Sequence, residues 1–346
     1  MDILSGGQND FFGLDLGITA LRVVQLRGTG AIKTLERYGH VPVQGTVAMS
    51  DAAEDLAKIA QMIKTLVMQT GITTKNVAVN LPSSRVFTTV IEMDKVSDEE
   101  LAKTINYQAD SLIPTPLNQS KIDWAVIGDS SKDPKKVEIL LSSVPNDFIE
   151  RRLNMLEGAG LNVVAMEPDS MALLRAVVAP DTMSPQLILD LGSASTDLII
   201  SMNGAPHLTR SIPFGSRAFV TAAVQSLNID PAQAQQFVYK FGISKDKLEG
   251  QIYNAIIGTV DSLINEIDKS IKFFLSRYPT AKLERIIMTG GASSLPELPL
   301  YVANKFGLNV EIGNAWRNVN FGQERQDELL KTSNHFAVAV GLAERN

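Results

Sequence analysis

Leu14-Asp15-Leu16-Gly17 recurs letter for letter at Leu189-Asp190-Leu191-Gly192, and apolar residues flank both copies. Phe11 to Gly17 is followed by Leu21-Arg22-Val23-Val24-Gln25-Leu26, and Gln186 to Gly192 by Leu198-Ile199-Ile200-Ser201-Met202. Each copy therefore reads as strand, tight glycine turn, strand. An internal repeat of this kind changes the reading of the whole chain: two hairpins of one kind imply two lobes of one kind.

Outward from the hairpins, strands alternate with helices. Asp51 to Thr70 carries Leu56, Ile59, Ile63, Leu66 and Val67 at helical spacing, opens with a capping box Asp51/Glu54 and stops at Gly71. Asn76 to Leu81 and Val86 to Met93 are strand-like. Ser97/Glu100 is a second capping box, opening a helix that must end before Pro114 and Pro116. Ile122 to Ile127 and Val137 to Val144 read as strands and Asn146 to Glu157 as a helix, so that 86–160 forms a small α+β unit. In the second half, helices are expected at 216–227, 231–241 and from Gln251 to Tyr278, the last with an apolar stripe from Ile252 to Phe274. Leu283 to Thr289 is a strand running into Gly290-Gly291. Leu295 to Phe306 and Val338 to Ala343 are expected helices, and Trp316 is expected in a polar surface loop.

Composition narrows the chemistry. At 346 residues with 45% apolar and 20% charged, the chain is a folded protein of two domains with room for an inserted third. Thirty-two basic against 38 acidic residues give a net charge of −6, which provides no global cationic field for nucleic acid. Absence of Cys removes thiol nucleophiles, disulfides and iron–sulfur clusters, and three scattered His argue against a His-rich metal site. Met1 to Asp10 places no positive charge ahead of an apolar run, and no stretch approaches the length of a membrane span. The expectation is a protein of the reducing cytoplasm that meets a membrane only through a partner.

Phosphate is bound by backbone amides, and glycine lets those amides approach its oxygens. In Asp15-x-Gly17-x-Thr19 and Asp190-x-Gly192-Ser193-x-Ser195-Thr196, a carboxylate ends the strand, glycine makes the turn and hydroxyls follow. Asp15 and Asp190 would orient waters on Mg²⁺, and two such hairpins would grip a nucleotide from both sides. Met288-Thr289-Gly290-Gly291-Ala292-Ser293 has the form of strand, glycine pair, helix start, where a base or phosphate can come close. It is not a Walker A loop, since no Gly-Lys-Ser/Thr follows.

These three segments, in this order, resemble the superfamily of actin, the seventy-kilodalton heat-shock chaperones and the sugar kinases. Within it the chain resembles the PilM family of type IV pilus assembly proteins, relatives of the division protein FtsA. Leu112-Ile113-Pro114-Thr115-Pro116-Leu117 followed by Asp123-Trp124, the Glu167-Pro168 and Leu173-Leu174-Arg175 stretch, and Ala337 to Leu342 are similar to further family segments. The resemblance implies an α/β fold of duplicated actin-like, ribonuclease H-like lobes with an inserted small α+β subdomain. Its parts would be 1–85, 161–185 and 325–346 for the first lobe, 86–160 for the insert and 186–324 for the second lobe. Ile212-Pro213-Phe214-Gly215-Ser216 is similar to the family's Ile-Pro-x-Gly-Gly segment near the base, with Ser216 in place of the second glycine, which brings in Gly215. Gln235 and Val238 stand where relatives place a Glu and a Lys against the nucleoside, and Ile18 where they have a hydroxyl.

The implied function is a cytoplasmic ATP- and Mg²⁺-binding scaffold for pilus assembly at the inner membrane. Its partners would be a cytoplasmic N-terminal peptide of the membrane protein PilN and other assembly components, with self-association left open. The peptide groove is sought in Val86 to Ile127. Hydrolysis needs a group that positions water; Asp15, Glu167 and Asp190 are candidates and no spacing singles one out, so turnover is expected to be slow or absent. The rivals are an FtsA-like filament protein, expected to carry a basic amphipathic tail that is not seen before Asn346, a small-molecule kinase of the superfamily, and a nucleotide-free adaptor.

Overall fold

Both repeated hairpins open a sheet, and the two sheets share one strand order. The computed structural model describes residues 10–345; the N-terminal segment read above as lacking a secretory pattern, 1–9, and Asn346 lie outside the described residues. The chain divides into two units, one of 10–82, 146–176 and 314–345, the other of Ser83–Pro145 and Val177–Gly313.

In the first unit, strands β1 (Phe12–Leu16), β2 (Ala20–Arg27), β3 (Lys33–Pro42), β4 (Asn76–Leu81) and β8 (Asn162–Pro168) lie in the order β3-β2-β1-β4-β8, with the short β14 (Val319–Asn320) on the β3 edge. The first three pair antiparallel and the last two join in parallel. Alternation along β1 sends Phe12 and Leu14 into a core with Ile59, Ile63 and Leu66 of helix α2 (Ala53–Thr70) and Met155 and Leu156 of α4 (Asn146–Gly158). The intervening Gly13 packs against Ala339 of α10 (Gln326–Ala343), which covers the opposite face. A one-turn helix, α1 (Gly45–Ala48), precedes α2, and α5 (Asp169–Val177) follows β8.

In the second unit, β9 (Gln186–Leu191), β10 (Thr196–Met202), β11 (Ala205–Ile212), β12 (Arg285–Thr289) and β13 (Asn309–Ile312) repeat the pattern as β11-β10-β9-β12-β13, again three antiparallel then two parallel. Helices α6 (Ser216–Leu227), α7 (Pro231–Phe241), α8 (Gln251–Arg277) and α9 (Leu298–Phe306) surround its core. The stripe foreseen on α8 is that core: Ile252, Ile256, Val260, Leu263, Ile264, Ile267, Ile271 and Phe274 are all buried, each stabilising by about 1.5–3 kcal/mol. The same unit carries the antiparallel sheet β5 (Phe87–Asp94), β7 (Lys136–Pro145), β6 (Ser120–Asp129), covered on one face by α3 (Asp98–Leu112).

Several expectations change. The Ser97 cap forms, its hydroxyl accepting from the Glu100 amide, but the Asp51/Glu54 box does not. Ala52 is the N-cap of α2, and the Asp51 carboxylate lies 3.6 Å from both Arg151 and Arg152 of α4. Helix α4, read as part of the insert, packs on α2 in the first unit because Met155 and Leu156 complete that core. The closing helix begins at Gln326 rather than Val338. Trp316 is 2% exposed, its indole N–H donating to the Leu329 carbonyl at 2.9 Å and its ring tilted by 37° against Phe336 at 5.6 Å.

Candidate nucleotide site

The second hairpin and the glycine pair meet within one unit. β9 is apolar through Leu187, Ile188 and Leu189, all fully buried, so its end is held rigidly where Asp190 emerges. The Asp190 carboxylate accepts a hydrogen bond from the Thr289 hydroxyl at 3.0 Å, and the Ala292 amide donates to the Leu191 carbonyl at 3.1 Å. Gly290 has φ 81°, and a Cβ there would stand 2.5 Å from the Asp190 carboxylate and 2.6 Å from the Leu191 carbonyl. Only glycine permits that approach.

The turn itself is closed by the Gly192 amide bonded to the Ser195 carbonyl at 3.0 Å. Helix α6 docks on it: the Ser216 and Arg217 amides donate to the Gly192 and Ser193 carbonyls, both at 3.0 Å. Gly215 is the N-cap of α6, and any Cβ there would collide with the Ser193 carbonyl. Two of the orphan amides of this helix N-terminus are thereby spent on the loop.

Thr196 is fully buried, and its hydroxyl donates to the Phe214 carbonyl at 2.7 Å, so it ties the Pro213-Phe214-Gly215 segment to the turn. Ser193 and Ser195 remain half-buried. Ala292 is a core residue and Gly291 half-buried. The helix expected right after the glycine pair starts only at Leu298: turns fill 291–297, Pro296 and Pro299 flank Glu297, and Glu297 caps α9 in a left-handed conformation. No helix N-terminus therefore stands at Gly291. Gln235 is exposed on α7, which Asp230 caps and Pro231 opens, whereas Val238 is in the core.

Across the strands, Asp190 is paired in register with Asp197. Asp197 is 8% exposed and accepts from the Ser211 hydroxyl at 2.6 Å; burial pushes its carboxyl up, against the pull of Ser211 and Ser83. The motifs assign no role to Asp197, which directly follows the quoted Thr196, or to Thr289, which lies inside the quoted glycine-pair segment.

The first hairpin has a different chemistry. Asp15 is paired in register with Arg22, whose guanidinium donates to it at 3.0 Å. Burial raises the Asp15 carboxyl and Arg22 works against the shift. The Leu16 amide is capped by the Asn80 side chain at 2.7 Å, Gly17 turns over the Ala20 carbonyl, and Thr19 is exposed. Glu167 is taken up by a bidentate pair with Arg175, at 2.6 and 2.9 Å, and by Arg345 at 2.7 Å. Among the described residues no group of three or more His, Asp or Glu gathers as metal ligands.

A sheet order repeated strand for strand, each copy opening on an acidic glycine hairpin, defines the duplicated actin-like fold. Similar structures agree: EutJ from Carboxydothermus hydrogenoformans (TM-score 0.58, 14% identity, 99% of this chain and 92% of that chain) and MreB5 of Spiroplasma citri bound to AMPPNP (0.56, 14%, 97% and 95%). A family model described as type IV pilus assembly protein PilM matches residues 13–346, and the chain belongs to that family. A PilM-PilN type IV pilus biogenesis complex contains a chain 26% identical to this one, at a TM-score of 0.83 over 96% of this chain and 97% of that one.

Proposed function

We propose that the chain is an ATP-binding scaffold of type IV pilus assembly that captures an N-terminal peptide of a PilN-type membrane protein. The observation that carries the partner is the 26% identity, over nearly the full length, to a chain of a PilM-PilN complex. Among the described residues no helix is long and apolar enough to cross a membrane, so membrane contact is assigned to the partner. For the peptide we propose the insert over 86–127, where Tyr107 is 89% exposed; Tyr107→Ala is expected to weaken peptide binding at least about tenfold.

For the nucleotide, support comes from the second unit: Asp190 with Thr289 behind it, the Gly192 turn with Ser193 and Ser195, and Gly290-Gly291 alongside. One carboxylate beside hydroxyls suits Mg²⁺, which takes one or two carboxylates plus phosphate oxygens and keeps several waters. Asp190 would hold it through water, and the ion would neutralise phosphate charge. Gly17 and Thr19 are proposed as further phosphate contacts, with Asp15 as the weaker partner because Arg22 neutralises it. Glu167 is withdrawn as a water-positioning group because two arginines occupy it. That leaves Asp190, and slow or absent turnover.

The test is calorimetric titration of the full chain with Mg²⁺-ATP and, separately, with the PilN-type peptide. Saturable one-to-one binding of both is expected. Peptide binding without nucleotide binding would reduce the protein to an adaptor, and nucleotide binding without peptide binding would remove the assigned partner.

A further inference from the structure

The glycine segments of the second unit are joined into a closed rim, and helix α7 supplies its last side. At the Gly192 turn, the Gly192 and Ser193 carbonyls take the Ser216 and Arg217 amides from the start of α6, both at 3.0 Å. Ser216 is 5% exposed, and its hydroxyl oxygen accepts from the Tyr239 hydroxyl of α7 at 3.0 Å. At the far end of α7, Gly242 has φ 52°, and a Cβ there would collide with the Pro296 carbonyl. The Ile243 amide donates to that same carbonyl at 3.1 Å. Pro296 belongs to the turns that follow Gly290-Gly291, and these return to the hairpin through the Ala292 amide on the Leu191 carbonyl.

Helical spacing sorts the side chains of α7. Ala234 and Val238 are fully buried, and Phe237 and Phe241 pack against the same core. Gln235, Tyr239 and Gly242, four and three residues apart, share the neighbouring face. Tyr239 touches Ser216 and Gly242 touches Pro296, so this is the face turned to the rim. An aromatic ring is stabilised by burial, as Phe237 and Phe241 are, yet Tyr239 is 39% exposed. Its hydroxyl is tied to the start of α6, so the ring is held in one place while its residue stays open to solvent.

We propose that Tyr239 is the residue that contacts the base: its ring, positioned by Ser216, stacks on the base of a purine nucleoside triphosphate whose phosphates lie at the Gly192 turn. This rests on the nucleotide reading above and adds to it the side chain that sets base preference. An aromatic face offers a stacking surface to any base, and a purine covers more of it than a pyrimidine does. The neighbours on the rim do not offer the same. Val238 is in the core, and Phe214, beside Gly215, packs against that core as well. Gln235, one turn earlier on the exposed face, can bond a sugar hydroxyl through its amide but has no flat apolar surface for a base.

The experiment is calorimetric titration of the full chain with Mg²⁺-ATP and with Mg²⁺-tripolyphosphate, a probe that has no base, in the wild type, Tyr239→Ala and Tyr239→Phe. Tyr239→Ala is expected to weaken Mg²⁺-ATP binding at least about tenfold, the scale of one lost stacking contact, and to leave tripolyphosphate within about threefold. Tyr239→Phe keeps the ring without the hydroxyl and should bind Mg²⁺-ATP within about threefold of the wild type. A purely structural tether behaves differently: Phe is then as weak as Ala, or both ligands lose alike, and either result overturns the proposal. Mg²⁺-ATP binding undiminished in Tyr239→Ala overturns it too. In the wild type Mg²⁺-CTP is expected to bind more weakly than Mg²⁺-ATP, and equal or tighter binding contradicts the purine assignment. A wild type that binds no Mg²⁺-ATP removes the nucleotide reading itself, a result distinct from all of these. Should Tyr239→Ala not fold, the Tyr239 ring signals in NMR of the wild type, assigned with Tyr239→Phe, decide. An upfield shift with Mg²⁺-ATP and none with tripolyphosphate is expected; the same response to both contradicts the stack.

Discussion

The two Leu-Asp-Leu-Gly hairpins share sequence, turn and register and still give their carboxylates different neighbours. Seven residues beyond the first Asp stands Arg22, which binds Asp15 at 3.0 Å. At the matching position of the second stands Asp197, paired in register with Asp190 and bound to Ser211. Asp15 is thus paired with a buried cation, and Asp190 accepts a hydrogen bond from the Thr289 hydroxyl. The repeat specifies the backbone; the cross-strand neighbour specifies what each carboxylate faces. In the function proposed above, Asp190 of the second hairpin holds the ion through water, and the first hairpin contributes the Gly17 and Thr19 contacts with Asp15 as the weaker carboxylate.

That contrast can be broken most strongly at Arg22. Arg22→Met leaves the Asp15 carboxylate buried without its cation, and a loss of about 3 kcal/mol in urea unfolding at neutral pH is expected. The sign in pH is fixed by the raised carboxyl. A raised folded value gives a contribution that is present below the unfolded value, about 3.9, and lost as pH rises through the folded one. Without Arg22 the shift grows, so the deficit of the variant should shrink toward about pH 4. A deficit independent of pH would mean that the pair is not what holds the first hairpin.

Gly290→Ala sharpens the other side. Its φ of 81° and the 2.5 Å approach to Asp190 predict a loss of about 2 kcal/mol in unfolding and a weaker nucleotide site; unchanged stability would show that the turn relaxes freely. Thr289→Val removes only the hydroxyl behind Asp190 and should cost about 1 kcal/mol, read as a Tm lower by a few degrees. A variant as stable as the wild type would remove Thr289 from the positioning of Asp190.

Much of the architecture is legible in the sequence because periodicity and caps are local. The α8 stripe, the Ser97 cap and the repeated hairpins all fall where residue spacing puts them. β3 is harder to see: Lys33, Glu36, Arg37 and His40 break the apolar alternation of a strand whose faces are only partly buried. Asp51 reads as a cap but is drawn to Arg151 and Arg152 across the fold, and Trp316 reads as a surface residue but fills the space beside Phe336. At the site, the motif identifies residue types without their partners. Thr196 resembles a phosphate-facing hydroxyl until its bond to the Phe214 carbonyl is known, and Glu167 a free carboxylate until Arg175 and Arg345 are placed.

The central claim is that the second hairpin, not the first, governs nucleotide binding. It is tested most directly by titrating Asp15→Asn and Asp190→Asn side by side with Mg²⁺-ATP in a calorimeter, with thermal unfolding confirming that both are folded. The account predicts that Asp15→Asn binds within about threefold of the wild type while Asp190→Asn loses at least about a hundredfold, the scale of a charged ligand-holding contact. Equal losses in both, or retained binding in Asp190→Asn, would contradict it.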